Sequence, residues 1–379
     1  MGNQIQIQDQ ETNQTIVINN PNFYGPAISA QDAAYVDSSC SIDIGNTQNA
    51  QAVPFKYPQK PTTDYELAMW NTLDNFETNA WQAKNVGIKT GMDCVDKAFE
   101  GGLFPGFIIL AGDSNLGKSA FITQLAWGVV QNNSDVYVMD FSLDDAMPDK
   151  LARVAACSGQ LIINAVKTPL NYVNYPLMLI RRKNAILNLR ANVDKYRAYD
   201  STFSTFVEDI EKEIEEKLVF FDSNGLNKKL VVCIDNFHDL NIANEPRLEG
   251  KEKFDRLAQW CSDLAIKHNI TIVCSAELKK INGNRRPILD DIREAVKIKY
   301  EAKAVLLVYN EVHYKGDGAD VFYMKQGNPF KQPVFEVHFA KNKFGTYKGR
   351  AFFEFYPEMA YMKECDPATQ KTYSNIVFG

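Results

Sequence analysis

Phe107-Ile108-Ile109-Leu110-Ala111-Gly112-Asp113-Ser114-Asn115-Leu116-Gly117-Lys118-Ser119-Ala120 joins an apolar run to a glycine-rich turn. Phe121, Ile122, Leu125, Ala126 and Val129 follow at the spacing of an amphipathic helix. Strand, GxxxxGK[ST] and helix together are the context in which that motif holds phosphate. Gly112 and Gly117 allow backbone N–H groups to turn inward, and the helix N-terminus adds partial positive charge. Lys118 reaches the terminal phosphates in such a loop, and the Ser119 hydroxyl ligates Mg²⁺. Gly112–Ala120 is therefore expected to bind a nucleotide, with ATP and Mg²⁺ as cofactors. A metal-holding carboxylate should end a neighbouring strand, and Leu230-Val231-Val232-Cys233-Ile234-Asp235 has that form, as a Walker B element does.

Outward from this loop, short apolar runs alternate with helical segments, the signature of a parallel α/β sheet. Candidate strands are Phe107–Ala111, Val136–Met139, Leu230–Asp235, Thr271–Ser275 and Ala304–Tyr309, with Val334–Ala340 and Ala351–Phe355 as antiparallel edge strands. Lys251–His268 carries an apolar stripe from Phe254 to Ala265 and is expected to be a helix. Val207–Lys217 reads as a charged helix on the solvated surface. Upstream, Leu67, Met69, Trp70, Leu73 and Phe76 predict an amphipathic helix over Asp64–Trp81. Residues 1–60 are rich in Asn, Gln, Ser, Thr and Pro, so a polar, disordered arm is expected there, with at most one short strand at Thr15–Ile18. No internal repeat is visible.

The chain has 379 residues, 41 Lys and Arg against 47 Asp and Glu, and a formal net charge of −6. That balance excludes a generic nucleic-acid coat, because sequence-independent binding needs clustered positive charge. Any nucleic-acid site must be local. Seven cysteines without a CxxC pair argue against a zinc site or disulfide framework and for a reducing compartment. The polar start MGNQIQIQDQ is no signal peptide, and the apolar runs are too short to cross a bilayer. A soluble, cytoplasmic protein without a membrane partner is expected. The histidines, at 238, 268, 313 and 338, show no metal-ligand spacing.

These residues resemble the C-terminal motor domain of DnaB-type replicative helicases, RecA-fold ATPases that work as hexameric rings. The likeness rests on Gly87-Ile88-Lys89-Thr90-Gly91 with Val95-Asp96, on the phosphate loop, and on Phe141-Ser142-Leu143-Asp144 where the family has Phe-Ser-Leu-Glu. It continues through Ile234-Asp235, Arg286-Pro287, Asp291-Ile292-Arg293-Glu294 and Ala340-Lys341-Asn342-Lys343, in order, over about residues 87–362. The resemblance implies a RecA-like P-loop core, mostly parallel, with antiparallel edge strands and helices on both faces, over 86–379 including a C-terminal tail. Residues 61–85 would be a linker helix docking on a neighbouring subunit. The family's N-terminal primase-interacting domain has no counterpart in residues 1–60.

Residue by residue, the resemblance puts Lys118, Ser119 and Asp235 on the triphosphate and its Mg²⁺, and Asp144 in the place of the catalytic glutamate. Arg153 matches a nucleotide-contacting arginine, with a surface ion pair as the alternative. Lys341 and Lys343 match the basic pair that reaches the neighbouring subunit's γ-phosphate. Three departures point to slow turnover. Asp144 is one methylene short, with Asp140 and Asp145 as competing carboxylates. Lys343 replaces an arginine fork with a point charge. Glu277 stands where the family has a phosphate-sensing glutamine, and would need protonation or a partner such as Lys279 or Lys280.

Between Lys279 and Lys303, eight basic residues stand against four acidic ones. The resemblance places single-stranded DNA contacts here, at Arg293, Glu294 and Val296, with Arg285 and Arg286 beside them. In a sixfold ring such a patch becomes a continuous lining suited to strand tracking. The expected function is an ATP-dependent, ring-forming single-stranded DNA translocase or helicase in DNA replication. Its partners would be DNA, copies of itself, and a loader or other replication proteins, in a bacterium or in a phage or mobile element within one. The alternative is a RecA-fold protein that uses ATP to assemble a ring or filament with little or no unwinding.

Overall fold

The computed structural model describes residues 3–8, 15–20, 41–44, 60–81, 86–279, 285–292, 297–325 and 327–378. The chain falls into two units, residues 1–85 and 86–379.

In the first unit, β1 (Asn3–Gln8), β2 (Thr15–Asn20) and β3 (Ser41–Ile44) form an antiparallel sheet in that order. The Thr15–Ile18 alternation falls within β2, but β1 and β3 are two strands more than the single one expected in residues 1–60. The helix expected from periodicity is α1 (Asp64–Trp81), and its Tyr65, Met69, Leu73 and Phe76 are all exposed.

The second unit opens with the short helix α2 (Asp93–Ala98) and the central strand β4 (Gly106–Gly112), followed by α3 (Lys118–Asn132) and β5 (Val136–Ser142). A helical excursion comes next, through α4 (Met147–Gly159), α5 (Ile163–Lys167) and α6 (Pro176–Ala191), ending at β6 (Tyr196–Tyr199). Then come α7 (Val207–Ser223), β7 (Lys229–Asp235), α8 (Gly250–Lys267), β8 (Thr271–Glu277), α9 (Ile298–Glu301) and β9 (Ala304–Tyr309). The chain closes with α10 (Glu311–Lys315), β10 (Phe322–Met324), β11 (Lys331–Asn342), β12 (Arg350–Tyr356), β13 (Tyr361–Glu364) and α11 (Pro367–Phe378).

The sheet order is β13-β12-β11-β9-β4-β8-β7-β5-β6, with β10 paired to β11. The six strands from β9 to β6 run parallel, and β10 to β13 are antiparallel. Every residue of β4 and β5 is buried, which is why their sequences are continuous apolar runs. Alternate residues of each strand feed opposite cores. Ile108, Leu110, Val138, Val231 and Val308 pack with α3, whereas Ile109, Met139, Val232, Ile272 and Leu307 pack with α7 and α8.

Two readings need correction here. Val207–Lys217 is part of a longer helix whose Val207, Ile210, Ile214 and Phe221 are buried in the second core, so only its charged face is solvated. The sheet is also wider than expected at both edges, because β6 at one and β10 and β13 at the other are too short to show periodicity. Among the described residues, no helix is long and apolar enough to cross a membrane.

Candidate nucleotide site and the opposite sheet edge

Ligands of parallel α/β sheets bind at the carboxyl ends of the strands, and most of the predicted site residues lie at that edge. β4 ends at Gly112, the turn follows, and α3 begins at Lys118. Two glycines are fixed by packing as well as by the turn. A Cβ on Gly112 would collide with Val308 Cγ2, and one on Gly117 (φ 106°) would lie 2.7 Å from the Phe355 ring. Asn115 takes a left-handed φ of 62°, which Asn tolerates better than most residues. Lys118 Nζ donates to the Asp113 carbonyl at 2.8 Å. Burial disfavours its charge and lowers its pKa, against the pull of Asp235, Glu277 and Asp113.

Asp235 ends β7, is nearly buried, and accepts a hydrogen bond from Ser275 Oγ on β8. Glu277 ends β8 directly beside Gly112 in the strand register. The Ser114 hydroxyl donates to it at 3.4 Å, and its own N–H donates to His238 Nδ1 at 3.2 Å. Lys279, an expected partner for Glu277, instead donates to the Asp290 carbonyl at 3.2 Å. Lys280 lies outside the described residues.

The three carboxylates after β5 separate clearly. Asp140 is sealed: Lys150 Nζ lies 2.9 Å away with both side chains fully buried, and Tyr196 OH donates to it at 2.7 Å. Asp145 is clamped by both Arg153 nitrogens at 2.5 and 3.1 Å and by Ser142 Oγ at 2.8 Å. Burial opposes its ionisation, but these donors hold it below the ordinary carboxylate range. Asp144 is exposed at the mouth of the site. Its pKa is raised, first by desolvation and then by the charges of Asp145, Asp235 and Glu277. Arg153 therefore forms an ion pair with Asp145.

Sequence reasoning missed Asp239. It sits on the turn after β7, where burial and then Asp144, Asp235 and Glu277 raise its pKa. It also missed His238, which packs against the Phe254 ring at 4.7 Å and holds the Glu277 backbone. Both follow Asp235 within a few residues, but nothing in their spacing singles them out. Asp235, Glu277 and Asp113 thus face Lys118, and Asp144 and Asp239 lie within charge range of Asp235 and Glu277, a surplus of negative charge. Hard oxygen donors in such surplus, with the Ser119 hydroxyl beside them on α3, fit a divalent cation such as Mg²⁺.

Lys341 and Lys343 lie at the other edge. Lys343 N–H donates to Lys303 O, and Lys303 N–H donates to Phe107 O at the start of β4. At ~3.3 Å per residue, Gly112 lies about 17 Å further along that strand, so the pair does not reach its own phosphate loop. A register shift between Phe339 and Lys341 re-aims the chain at this point. Lys341 Nζ donates to Lys299 O at 2.6 Å and Tyr300 O at 3.0 Å. Desolvation and the Lys343 charge lower its pKa to about 8.

Of the DNA candidates, Arg293, Glu294 and Val296 lie outside the described residues. Arg285 is half-exposed and forms a two-nitrogen pair with Asp291 at 2.6 Å each. Arg286 is turned inward, donating to Glu336 at 2.8 Å and Glu311 at 3.0 Å. Its guanidinium is engaged by buried carboxylates, so it is not presented as a surface cation. Glu211, Glu215 and His268 approach within metal-ligating distance of one another, but Lys267 Nζ already sits on both carboxylates, at 3.0 and 2.7 Å.

The chain matches the family described as DnaB-like helicase C terminal domain over residues 87–363. The replicative DNA helicase DnaB of Rickettsia prowazekii is 22% identical over 243 residues, covering 60% of this chain and 47% of that protein. The chain spans about half the length of the curated relatives it matches. Among solved structures, an isolated ATPase domain superposes with a TM-score of 0.65 at 17% identity, over 81% of this chain and 100% of that one. A DnaB-like replicative helicase, solved with its interactions with primase, gives 0.63 at 18% identity, over 78% and 66%. These superpositions identify the fold as RecA-like. With that family's model matched over residues 87–363, most of its length, the chain belongs to the DnaB-like helicase C-terminal domain family.

Proposed function

We propose that the chain is the motor of an ATP-driven, ring-forming translocase or helicase that acts on single-stranded DNA in replication. What supports this is that the candidate catalytic residues lie on two opposite sheet edges. Phosphate loop and acids occupy one edge, and Lys341 and Lys343 occupy the other, about 17 Å away by strand rise. A chain that cannot complete its own site needs a neighbour, and head-to-tail repetition of such a contact closes a ring.

In this reading Lys118 would hold the β- and γ-phosphates, and Ser119 and Asp235 would hold Mg²⁺, whose chemistry there would be to offset charge on the phosphoryl group. Asp144 orients or deprotonates the attacking water. Its raised pKa brings it nearer to working pH, which favours general-base action. Arg153 acts as a positioning residue, fixing Asp145 and hence the turn that carries Asp144. Glu277 occupies the phosphate-sensing position with Ser114 as its donor. Lys341 and Lys343 contact the neighbour's γ-phosphate. Arg285, Arg293, Glu294 and Val296 face the DNA, and Arg286 supports them from within.

Residues 61–85 dock as a linker helix on the next subunit, residues 1–60 form a polar arm, and residues 86–379 are the motor. The protein works in the cytoplasm of a bacterium, as a host or mobile-element protein, with a loader or other replication proteins as partners. The short Asp144, the acid at 277 and Lys343 support slow hydrolysis. The assembly-only alternative is not favoured by the family membership.

Steady-state ATP hydrolysis with and without single-stranded DNA tests this, together with the mass of the complex. DNA-stimulated turnover that disappears in Lys118→Ala, by a particle of several subunits, is the expected result. A monomer in the presence of both ligands would overturn the trans assignment.

A further inference from the structure

One side chain links the phosphate loop to a distant surface segment. Tyr314, on α10, donates its hydroxyl to Asp113 Oδ2 at 3.2 Å. Its ring lies flat on Tyr309, with centroids 4.9 Å apart and an interplanar angle of 10°. Tyr309 is fully buried at the end of β9, and the Arg286 guanidinium stands 4.9 Å from its ring centroid. Arg286 is itself fixed by Glu336 and by Glu311, the first residue of the helix that carries Tyr314. The contacts therefore close on themselves. Beyond Arg286, the Ile288 N–H and both Arg285 terminal nitrogens bond to Asp291, so Arg285–Ile292 is tied together as one piece.

The Asp113 end of this chain has two arrangements available. Lys118 Nζ now sits on the Asp113 carbonyl. When a triphosphate enters, the same ammonium serves the phosphates instead, which frees that carbonyl and sets the Asp113 carboxylate against new negative charge. The base of the loop is held in register, because β4 pairs with β8 through Gly112 and with β9 through Ala111. The hydroxyl of Tyr314 must follow Asp113 or release it.

Granting that Gly112–Ser119 is the nucleotide site, we propose that Tyr314 is a positioning residue that couples it, through Tyr309 and Arg286, to the conformation of Arg285–Ile292. A second connection runs along β8, from Glu277 through the Leu278–Ile292 bridge and the Lys279 N–H to Asp291 O. The experiment must therefore remove the tyrosine route alone.

Backbone amide exchange over Arg285–Ile292 is measured in the full chain, with and without saturating MgATP, and MgATP affinity is measured by calorimetry. In the wild type, MgATP slows exchange there by about fivefold or more, the lower end of ordinary coupling free energies. Tyr314→Phe keeps the stacked ring and loses only the hydroxyl. It should bind MgATP within about threefold of wild type, yet slow that exchange less than about twofold. Arg286→Lys keeps the charge but not the planar face, and should show the same loss. Tyr356→Phe, which removes a hydroxyl bonded to Glu354, should respond as wild type does. A wild type that binds MgATP without protecting Arg285–Ile292, or a Tyr314→Phe that responds fully, overturns the coupling and leaves the nucleotide site standing. Collapse of MgATP affinity in Tyr314→Phe would make Tyr314 a binding residue and also overturn it. A wild type that binds no MgATP removes both readings at once.

Discussion

The two edges of the parallel sheet are chemical opposites. The edge at the ends of β4, β5, β7 and β8 gathers Asp113, Asp144, Asp235, Asp239 and Glu277, three of which face Lys118. At the edge where β4 and β9 begin, Lys299, Lys303, Lys341 and Lys343 cluster, and Lys341 is desolvated enough to titrate near 8. A net charge of −6 averages these regions and describes neither. Neither edge is a finished site. Among the described residues of the acid edge, Arg153 is committed to Asp145 and Lys253 faces Asp239, which leaves Lys118 as the cation set on the phosphate loop itself. Under the proposed function the contrast is what lets an acidic chain serve polyanionic ligands: the charge that matters is local, and a neighbouring copy would complete it.

The sharpest way to break this contrast is to disable each edge in a separate copy. Lys343→Ala and Lys118→Ala should each lose about a thousandfold or more in ATP hydrolysis, as loss of a trans cation does elsewhere. Mixing the two inactive proteins should restore measurable turnover, because some interfaces then pair an intact phosphate loop with an intact Lys343. Mixtures as dead as their parts would sink the two-edge account.

Support for the acid edge comes next. Lys150→Met strands Asp140 in the core beside Tyr196, and chemical denaturation should show a loss of about 3–5 kcal/mol. Asp140→Asn with Lys150→Met should recover much of it. A single variant as stable as wild type would mean that the pair does not hold α4 against β5.

A smaller effect is expected at Asp144. Lengthening it to Glu should raise kcat about tenfold by restoring reach to the water, with KM little changed. No change in kcat would assign the proton transfer to another carboxylate, Asp239 first.

The mildest test is pH. Lys341 carries its proton below about 8 and loses it above, so trans-dependent hydrolysis should fall as pH rises through that value. Desolvation sets most of that shift, Lys343 and Lys303 add to it, and Glu301 opposes it. The carbonyls of Lys299 and Tyr300 receive the ammonium. Lys343→Arg keeps a positive neighbour and should leave the midpoint low, whereas Lys343→Ala should move it upward in what turnover remains. For stability the sign is reversed. A lysine whose folded pKa lies below its unfolded value costs stability while charged, and that cost is relieved as pH rises from about 8 towards the unfolded value. A rate that is flat through pH 8 would separate Lys341 from the chemistry.

Much of this was legible in the chain itself, for physical reasons. Fully buried parallel strands must be apolar throughout, so β4, β7, β8 and β9 stand out. The phosphate loop is a contiguous motif, and its chemistry can be read locally. Arg286 was not legible in the same way. Its partners Glu311 and Glu336 lie on other elements, and only the folded sheet brings them to one place. The same holds for Asp140, whose burial with Lys150 and Tyr196 is a tertiary event. Helix α7 looked solvated because its charged face dominates its composition, while four buried side chains set its position.

The packing of Gly112 on Val308 and of Gly117 on Phe355 bears on how such a motif should be interpreted in drifting lineages. A side chain at either position would collide with the sheet whether or not a nucleotide is ever hydrolysed. Descendants that abandon catalysis would still be selected to retain both glycines for foldability, while Lys118 and Ser119, which meet no such steric demand, would be free to change. Loss of activity should therefore register first at the lysine and the hydroxyl, and the surviving glycines would be a fossil of architecture rather than of chemistry.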